Sequence, residues 1–111
     1  MTKILVSDAV HEDGIDFLKA QPDIEVDVKL GLPHSELVNI IDQYDALIVR
    51  SETKVSADVL EAAKKLRVVG RAGIGVDNVD LDIATRKGIA VVNAPTGNII
   101  AAAEHTIALI L

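Results

Sequence analysis

Three closely spaced glycines, just after an apolar run, are the first feature of this sequence that could serve a ligand. The segment reads VVGRAGIGVDNVD and contains Gly70, Gly73 and Gly75. A dinucleotide-binding loop needs the spacing G-x-G-x-x-G, in which the third glycine lets the next helix pack closely against the strand. Counted from Gly73, that third position is Asn78. The spacing therefore predicts a turn with an accessible backbone, and not a dinucleotide loop.

Polar residues and glycines recur where each apolar run ends. In an open sheet of parallel strands, ligands bind outside the carboxyl ends of the strands. A guanidinium group pairs with carboxylate or phosphate, and the N–H groups of a glycine turn form an anion-binding nest. We therefore expect a site for a small anion at this edge. Its candidate residues are Ser7, Asp8, Arg50, Ser51, the segment 71–75 and the segment 93–96.

Each candidate also has a purely structural explanation. Glycine in a strand-to-helix turn often supplies a positive φ angle. An arginine at a strand end is often a solvated charge or the partner of a neighbouring acid. The hypothesis of one anion site therefore depends on convergence of Arg50 with the turn from Gly73 to Gly75 at one edge of the sheet.

Other chemistry has weaker support. Asp77, Asn78 and Asp80 lack the further oxygen ligands that calcium needs, and Asp80 is better explained as a helix N-cap, so no metal is predicted. Glu104 and His105 are neighbours on a predicted helix and point about 100° apart, which disfavours an acid–base pair.

The order of the apolar segments predicts the elements that position these residues. Five runs are typical of parallel strands buried on both faces: KILVSD, IEVDVK, DALIVRS, LRVVGRAG and IAVVNAP. Four segments of helical period lie between them: HEDGIDFLKA, PHSELVNIIDQ, SADVLEAAKKL and DLDIATRKG. Strand and helix alternate, so we expect a doubly wound α/β fold. His11 and His34, at two helix starts, are expected to be exposed and without a catalytic role.

Local signals predict where two of these helices begin and end. Ser56 is the expected N-cap of the third helix, with Lys64 and Lys65 in its last turn. In the fourth, Asp80 is the expected N-cap and Gly88 the stop.

The last segment, NIIAAAEHTIALIL, predicts a helix with Asn98 as its N-cap that is apolar on nearly every side. Such helices are buried, and a chain of 111 residues has little in which to bury this one. We therefore expect that the chain is cut within this helix, with the joining of a partner by the helix as the alternative.

Composition limits the possible partners and compartment. The net charge of −6 argues against binding to nucleic acid or to an anionic membrane, since both need a positive field. The chain has no cysteine, which is compatible with a reducing cytoplasm. The first ten residues, MTKILVSDAV, predict neither a signal peptide nor a membrane span.

Nearly the whole chain resembles the D-isomer-specific 2-hydroxyacid dehydrogenases, especially the members that oxidise 3-phosphoglycerate. The most specific motifs are VRSETKV, GRAGIGVDNVD, and NAPTGN followed by AAEHT. The resemblance implies a flavodoxin-like substrate-binding domain over residues 1–97. Residues 98–111 would begin a helix that crosses to a separate NAD-binding domain, which would explain why the chain stops within a helix. It also implies a cytoplasmic, homo-oligomeric enzyme of L-serine biosynthesis, which oxidises 3-phospho-D-glycerate to 3-phosphohydroxypyruvate with NAD.

The resemblance also implies roles for individual residues. Arg50 and Ser51 match positions that hold the anionic groups of the substrate, and the backbone of Gly73, Ile74 and Gly75 matches the part that meets its carboxylate. Ile74 and Ala103 match positions that contact the nicotinamide end of NAD. The catalytic histidine of the family, its paired acid and its substrate-orienting arginine would lie beyond residue 111. No catalytic residue is therefore expected in this chain, and the chain alone is expected to be inactive.

Three other functions remain open. A phospho-acceptor receiver domain shares this topology, but it needs an aspartate at the end of the third strand, where Arg50 stands. The chain could also be a free-standing or dimerising binding module for small phosphorylated acids. It could finally be the same domain of another D-2-hydroxyacid dehydrogenase.

Overall fold

A single sheet of five parallel strands forms the centre of the molecule. The computed structural model describes residues 2–72 and 78–94, together with Glu104, Thr106 and Ala108. The strands are β1 (Thr2–Val6), β2 (Ile24–Val28), β3 (Ala46–Val49), β4 (Val68–Ala72) and β5 (Ala90–Ala94). The helices are α1 (Glu12–Lys19), α2 (His34–Ile40), α3 (Ala57–Ala62) and α4 (Leu81–Arg86), and a 3₁₀ turn (Ile41–Gln43) follows α2.

The strand order β2-β1-β3-β4-β5 is that of flavodoxin-like folds, which confirms the expected fold class. All four strand pairs are parallel. The chain reverses its direction of travel across the sheet between β1 and β3, and such a switch point is where open α/β sheets bind ligands. The loops after β1 and β3 therefore begin at the part of the sheet where a ligand site is expected.

Two apolar layers cover the two faces of the sheet. Leu5, Leu47 and Val69 point into a core shared with α2, α3 and α4. Ile4 and Ile48 belong to a second core, which is shared with α1. This period of two follows from the strand pleat, and it explains why the strand sequences are apolar at nearly every position.

Gly70 in β4 makes room for a residue of the last segment. A Cβ atom at Gly70 would lie 2.7 Å from Thr106 Oγ1 and in ordinary contact with Ile48 and Val92. Thr106 is completely buried, and so lies against the sheet on the α1 side. Of the described residues of this segment, the domain therefore buries Thr106 and leaves Glu104 and Ala108 exposed. The proposed boundary at residues 97 and 98 stays a prediction.

The helix boundaries agree with most of the local signals. The Asp80 side chain accepts a hydrogen bond from Ile83 N (3.1 Å), and Gly88 ends α4 with a φ of 71°, as predicted. Ser56 is the N-cap of α3, although its hydroxyl bonds Asp58 instead of the helix backbone.

The prediction that Lys64 and Lys65 lie in the last turn of α3 is wrong, because α3 ends at Ala62. Beyond the helix the chain must turn to bury Leu66 and to bring Arg67 N within 2.8 Å of Asp45 O. These tertiary contacts outweigh the helix propensity of the two lysines.

Tyr44 ties the edge strand β2 to the body of the domain. Its ring is buried, and its hydroxyl donates to Asp27 Oδ2 (2.7 Å). Lys3 Nζ lies 5.4 Å from the ring centroid and 3.5 Å from Glu25 Oε2. The pKa of Tyr44 is raised far above its ordinary value. Burial of the phenol has the largest effect, and the hydrogen bond to Asp27 has the next largest.

None of the helices in the described part of the chain is long and apolar enough to cross a membrane.

Candidate functional site

The structure places Arg50 and Arg71 at the same edge of the sheet. Val49, the last residue of β3, is in register with Arg71 of β4, so Arg50 follows directly beside it. The convergence predicted from the sequence is therefore observed for these two arginines. Gly73, Ile74, Gly75 and Ala103 lie outside the described residues, and their roles stay predictions.

Asp8, just beyond β1, holds the segment that follows β3. Its Oδ2 atom accepts the N–H groups of Arg50 (2.8 Å) and Thr53 (3.0 Å). Its Oδ1 atom accepts the hydroxyl of Thr53 (2.5 Å), and Ser7 Oγ lies 2.9 Å from the same hydroxyl. Asp8 reaches these groups because β1 and β3 are neighbours, with Ser7 N bonded to Ile48 O (3.1 Å). The buried carboxylate thus accepts hydrogen bonds from the N–H groups of Arg50 and Thr53, which are not paired with a neighbouring strand.

Asn78 holds the same segment from the other side. Its Nδ2 atom donates to the carbonyl groups of Arg50 and Thr53, both at 2.7 Å. Its Oδ1 atom accepts from Arg71 Nε (2.7 Å). Asn78 O also accepts from Val55 N (2.7 Å), next to a parallel bridge between Val55 and Val79. The buried amide therefore connects the ends of β3 and β4.

The segment from Arg50 to Thr53 is fixed at both ends while its first two side chains face solvent. Arg50 and Ser51 are both exposed. In the described part of the chain, the guanidinium of Arg50 makes one hydrogen bond, from Nη1 to Ala9 O at 3.3 Å. The remaining guanidinium donors are available to a carboxylate or a phosphate group. A backbone fixed by hydrogen bonds, with guanidinium donors left unpaired within the described residues, suits capture of an anion at low entropic cost.

A cleft of about 450 Å³ opens beside this segment. It lies above the carboxyl ends of β1, β2 and β3. Its walls are Ser7, Asp8, Ala9, Leu30, Gly31, Leu32, His34, Leu37, Glu52, Thr53 and Lys54. Ser7 and Asp8, two candidates of the predicted anion site, line this cleft, whereas Arg50 and Ser51 are not among its lining residues.

A hydrogen bond joins the beginnings of α2 and α3 beside the cleft. His34 Nε2 lies 2.5 Å from Asp58 Oδ2, and both side chains are exposed. The hydrogen bond with His34, and then that with Ser56, lowers the pKa of Asp58 to about 2. The second predicted surface histidine, His11, accepts from Asp13 N (3.1 Å) as the N-cap of α1. Both histidines are exposed as expected, and both make local structural contacts.

Within the residues that the structure describes, no three His, Cys, Asp or Glu side chains are close enough to share a metal ion. Asp80 is occupied as an N-cap, as the sequence predicts. Glu104 is exposed, and the other half of the disfavoured acid–base pair, His105, lies outside the described residues.

Sequence reasoning missed the roles of Thr53 and Asn78. The sequence marks Asn78 only as the position where a third glycine is absent and as a weak candidate for a cation ligand. One signal in the sequence could have indicated the role of Asn78. An asparagine stands where a dinucleotide loop has glycine, close to the end of a buried strand, and a buried amide needs hydrogen-bond partners.

Comparison with known proteins agrees with this fold. A model of the catalytic domain of D-isomer specific 2-hydroxyacid dehydrogenases matches residues 4–108. The chain is 50% identical over 109 residues to the D-3-phosphoglycerate dehydrogenase of Archaeoglobus fulgidus, covering 98% of this chain and 20% of that protein. It is 53% identical over 111 residues to the D-3-phosphoglycerate dehydrogenase of Methanocaldococcus jannaschii, covering 100% of this chain and 21% of that protein. The chain thus spans about a fifth of the length of these relatives.

A solved structure of NAD⁺-bound 3-phosphoglycerate dehydrogenase from Entamoeba histolytica has a TM-score of 0.76 and 26% sequence identity. The match covers 85% of this chain and 33% of that one.

Proposed function

The chain belongs to the D-isomer specific 2-hydroxyacid dehydrogenase family, and from this membership we propose that it holds the substrate of an NAD-dependent oxidoreductase. The proposed reaction is oxidation of 3-phospho-D-glycerate at its C2 hydroxyl to 3-phosphohydroxypyruvate, in L-serine biosynthesis. Identity of about 50% to several D-3-phosphoglycerate dehydrogenases, over the whole chain, supports this substrate.

The observation that carries the proposal is the exposed guanidinium of Arg50 on a backbone that Asp8 and Asn78 fix. In the proposed complex, Arg50 and Ser51 bind the anionic groups of the substrate. The backbone of the turn from Gly73 to Gly75, which includes Ile74, binds its carboxylate. A guanidinium pairs well with phosphate or carboxylate because its donors match two oxygens at once.

NAD would supply the acceptor for the hydride that leaves C2. The described residues do not fit its pyrophosphate, because the side chain of Asn78 fills the position of a third glycine and is held by hydrogen bonds. We therefore propose that this chain meets NAD only at the nicotinamide end, through Ile74 and Ala103. Most of the cofactor site and the acid–base group would come from outside this chain.

The proposed partners and compartment follow from the same assignment. The complete enzyme would be a homo-oligomer in the cytoplasm, and its ligands would be small molecules. The net charge of −6 supports a small ligand held by local groups over nucleic acid or an anionic membrane.

A second candidate is another 2-hydroxyacid dehydrogenase activity, which the family match favours because its description names 2-hydroxyacids in general and not 3-phosphoglycerate. To separate the two, the complete enzyme is assayed for NAD reduction with 3-phosphoglycerate, D-glycerate and D-lactate. The proposal predicts the highest kcat/KM for 3-phosphoglycerate, since D-glycerate lacks only the phosphate group. A higher value with D-glycerate or D-lactate would favour the second candidate.

The division of labour between this chain and the rest of the enzyme has its own test. Calorimetric titration of the chain with NAD should show no measurable binding, whereas weak binding of 3-phosphoglycerate is expected. Micromolar affinity for NAD would overturn the assignment of the cofactor site to residues outside this chain.

A further inference from the structure

Asn78 uses every hydrogen-bonding group of its side chain within a single arrangement. An amide has two N–H donors and one carbonyl acceptor. The two donors meet Arg50 O and Thr53 O, and the acceptor meets Arg71 Nε–H, all at 2.7 Å. If the amide were reversed, its oxygen would face the carbonyl groups of Arg50 and Thr53, and its NH₂ group would face the N–H of Arg71. The surroundings therefore define the orientation of the amide.

No side chain of similar size can replace this amide. An ionised aspartate would keep the bond from Arg71, but it has no donor for the carbonyl groups of Arg50 and Thr53. Two carbonyl oxygens would then face a carboxylate at short distance. Alanine would remove all three bonds and leave the buried groups unpaired, which is costly.

Loss of the Asn78 bonds would leave the segment attached on one side. Asp8 would still bind the N–H groups of Arg50 and Thr53, because its contacts do not involve Asn78. The segment would remain near the sheet edge, but its carbonyl groups and its distance from Arg71 would no longer be fixed. The direct effect should be on the position of Arg50, with the fold retained.

We propose that Asn78 is a positioning residue, which sets the backbone of Arg50 relative to the end of β4 and so determines substrate affinity without touching the substrate. This inference rests on the proposed function, in which Arg50 binds the substrate. It gives a reason for asparagine instead of glycine at position 78. The amide links the segment after β3 to Arg71 of β4, and in the proposed function both strand ends lead to the anion site.

The test is a double-mutant cycle in the complete enzyme, with Asn78→Asp and Arg50→Ala alone and combined. In the wild-type background, Asn78→Asp should raise KM for 3-phosphoglycerate roughly tenfold while changing kcat and KM for NAD about twofold or less. In the Arg50→Ala background, the same change should have almost no further effect on KM. The matched control is Asn39→Asp, since Asn39 is an exposed residue of α2.

Two outcomes would overturn the proposal. One is an unchanged KM in Asn78→Asp, and the other is an equal rise in KM in both backgrounds, which would indicate a general structural effect. Should Asn78→Asp lose its folded circular-dichroism spectrum, Asn78→Ser takes its place in the cycle, because it removes the same amide without adding a charge.

Failure of the proposed function would be visible separately. A wild-type enzyme that does not oxidise 3-phosphoglycerate would refute that substrate. The cycle is then measured with the 2-hydroxyacid that the enzyme does oxidise, and the same comparison decides the role of Asn78.

Discussion

Asp8 and Asn78 bind the same two residues from opposite sides. The carboxylate of Asp8 accepts the N–H groups of Arg50 and Thr53, and the amide of Asn78 donates to the carbonyl groups of these residues. The two side chains thus replace the ladder of hydrogen bonds that β3 loses when it ends at Val49. The segment is thus held in place without being a strand, and the side chains of Arg50 and Ser51 are exposed.

Replacement of Asp8 should test this support directly. Asp8→Ala leaves two backbone N–H groups without an acceptor, so we expect the free energy of unfolding to fall by about 1–3 kcal/mol. Asp8→Asn should cost less, because its carbonyl oxygen can still accept both N–H groups. Urea denaturation of both variants measures their free energies of unfolding. The control is Asp16→Ala, because Asp16 is exposed. An equal stability of Asp8→Ala and Asp16→Ala would contradict the role of Asp8.

Arg50→Ala in the complete enzyme should act mainly on substrate binding. The arginine is proposed to hold a charged group that changes little during hydride transfer, so KM for 3-phosphoglycerate should rise more than kcat falls. Loss of a charge-assisted hydrogen bond corresponds to about 1.5–3 kcal/mol, or roughly a ten- to hundredfold rise in KM. Steady-state kinetics provides the measurement. Arg86→Ala, at the exposed end of α4, is the matched control, and an unchanged KM in Arg50→Ala would remove Arg50 from the site.

Gly70→Ala should destabilise the domain through a clash with Thr106. The new Cβ atom would lie 2.7 Å from Thr106 Oγ1, and overpacking of this kind costs about 1–3 kcal/mol. Thr106→Ala removes the clashing atom, so the double variant should lose less stability than the sum of the two single variants. Thermal and urea denaturation of all four proteins measure this coupling. Additive losses would show that Gly70 and Thr106 do not touch.

Tyr44 should limit stability at alkaline pH. Its pKa is raised in the folded state, so its contribution is fully present below the unfolded value of 10.0 and is lost as the pH rises above it. Tyr44 is the one tyrosine of the chain, so the ultraviolet absorption of tyrosinate reports on it alone. We expect this absorption to appear together with unfolding, and Tyr44→Phe to weaken the pH dependence. Ionisation of Tyr44 near pH 10 in the folded protein would contradict its burial.

The fold was predictable from the sequence because each strand carries a local signal. Runs of β-branched residues between helical segments mark all five strands, and Asp80 and Gly88 mark the bounds of α4. The end of α3 was not predictable, since burial of Leu66 decides it and that contact depends on the whole fold.

The candidate site was only partly predictable. The arginines at the ends of β3 and β4 could be placed together, because parallel strands end at a common edge. The hydrogen bonds that fix Arg50 join residues 42 positions apart at Asp8 and 28 positions apart at Asn78. No local pattern encodes pairs at such separations, since they result from sheet order and register.

The wide separation of these pairs also bears on the order of events during folding. Asp8 follows β1 and Asn78 comes after β4, so neither can reach Arg50 until β1, β3 and β4 lie side by side. The entropy of closing these long loops must therefore be overcome by the apolar core before the polar contacts can form. We therefore expect the segment from Arg50 to Thr53 to be among the last described parts of the chain to take its final shape, so that its geometry depends on correct assembly of the sheet.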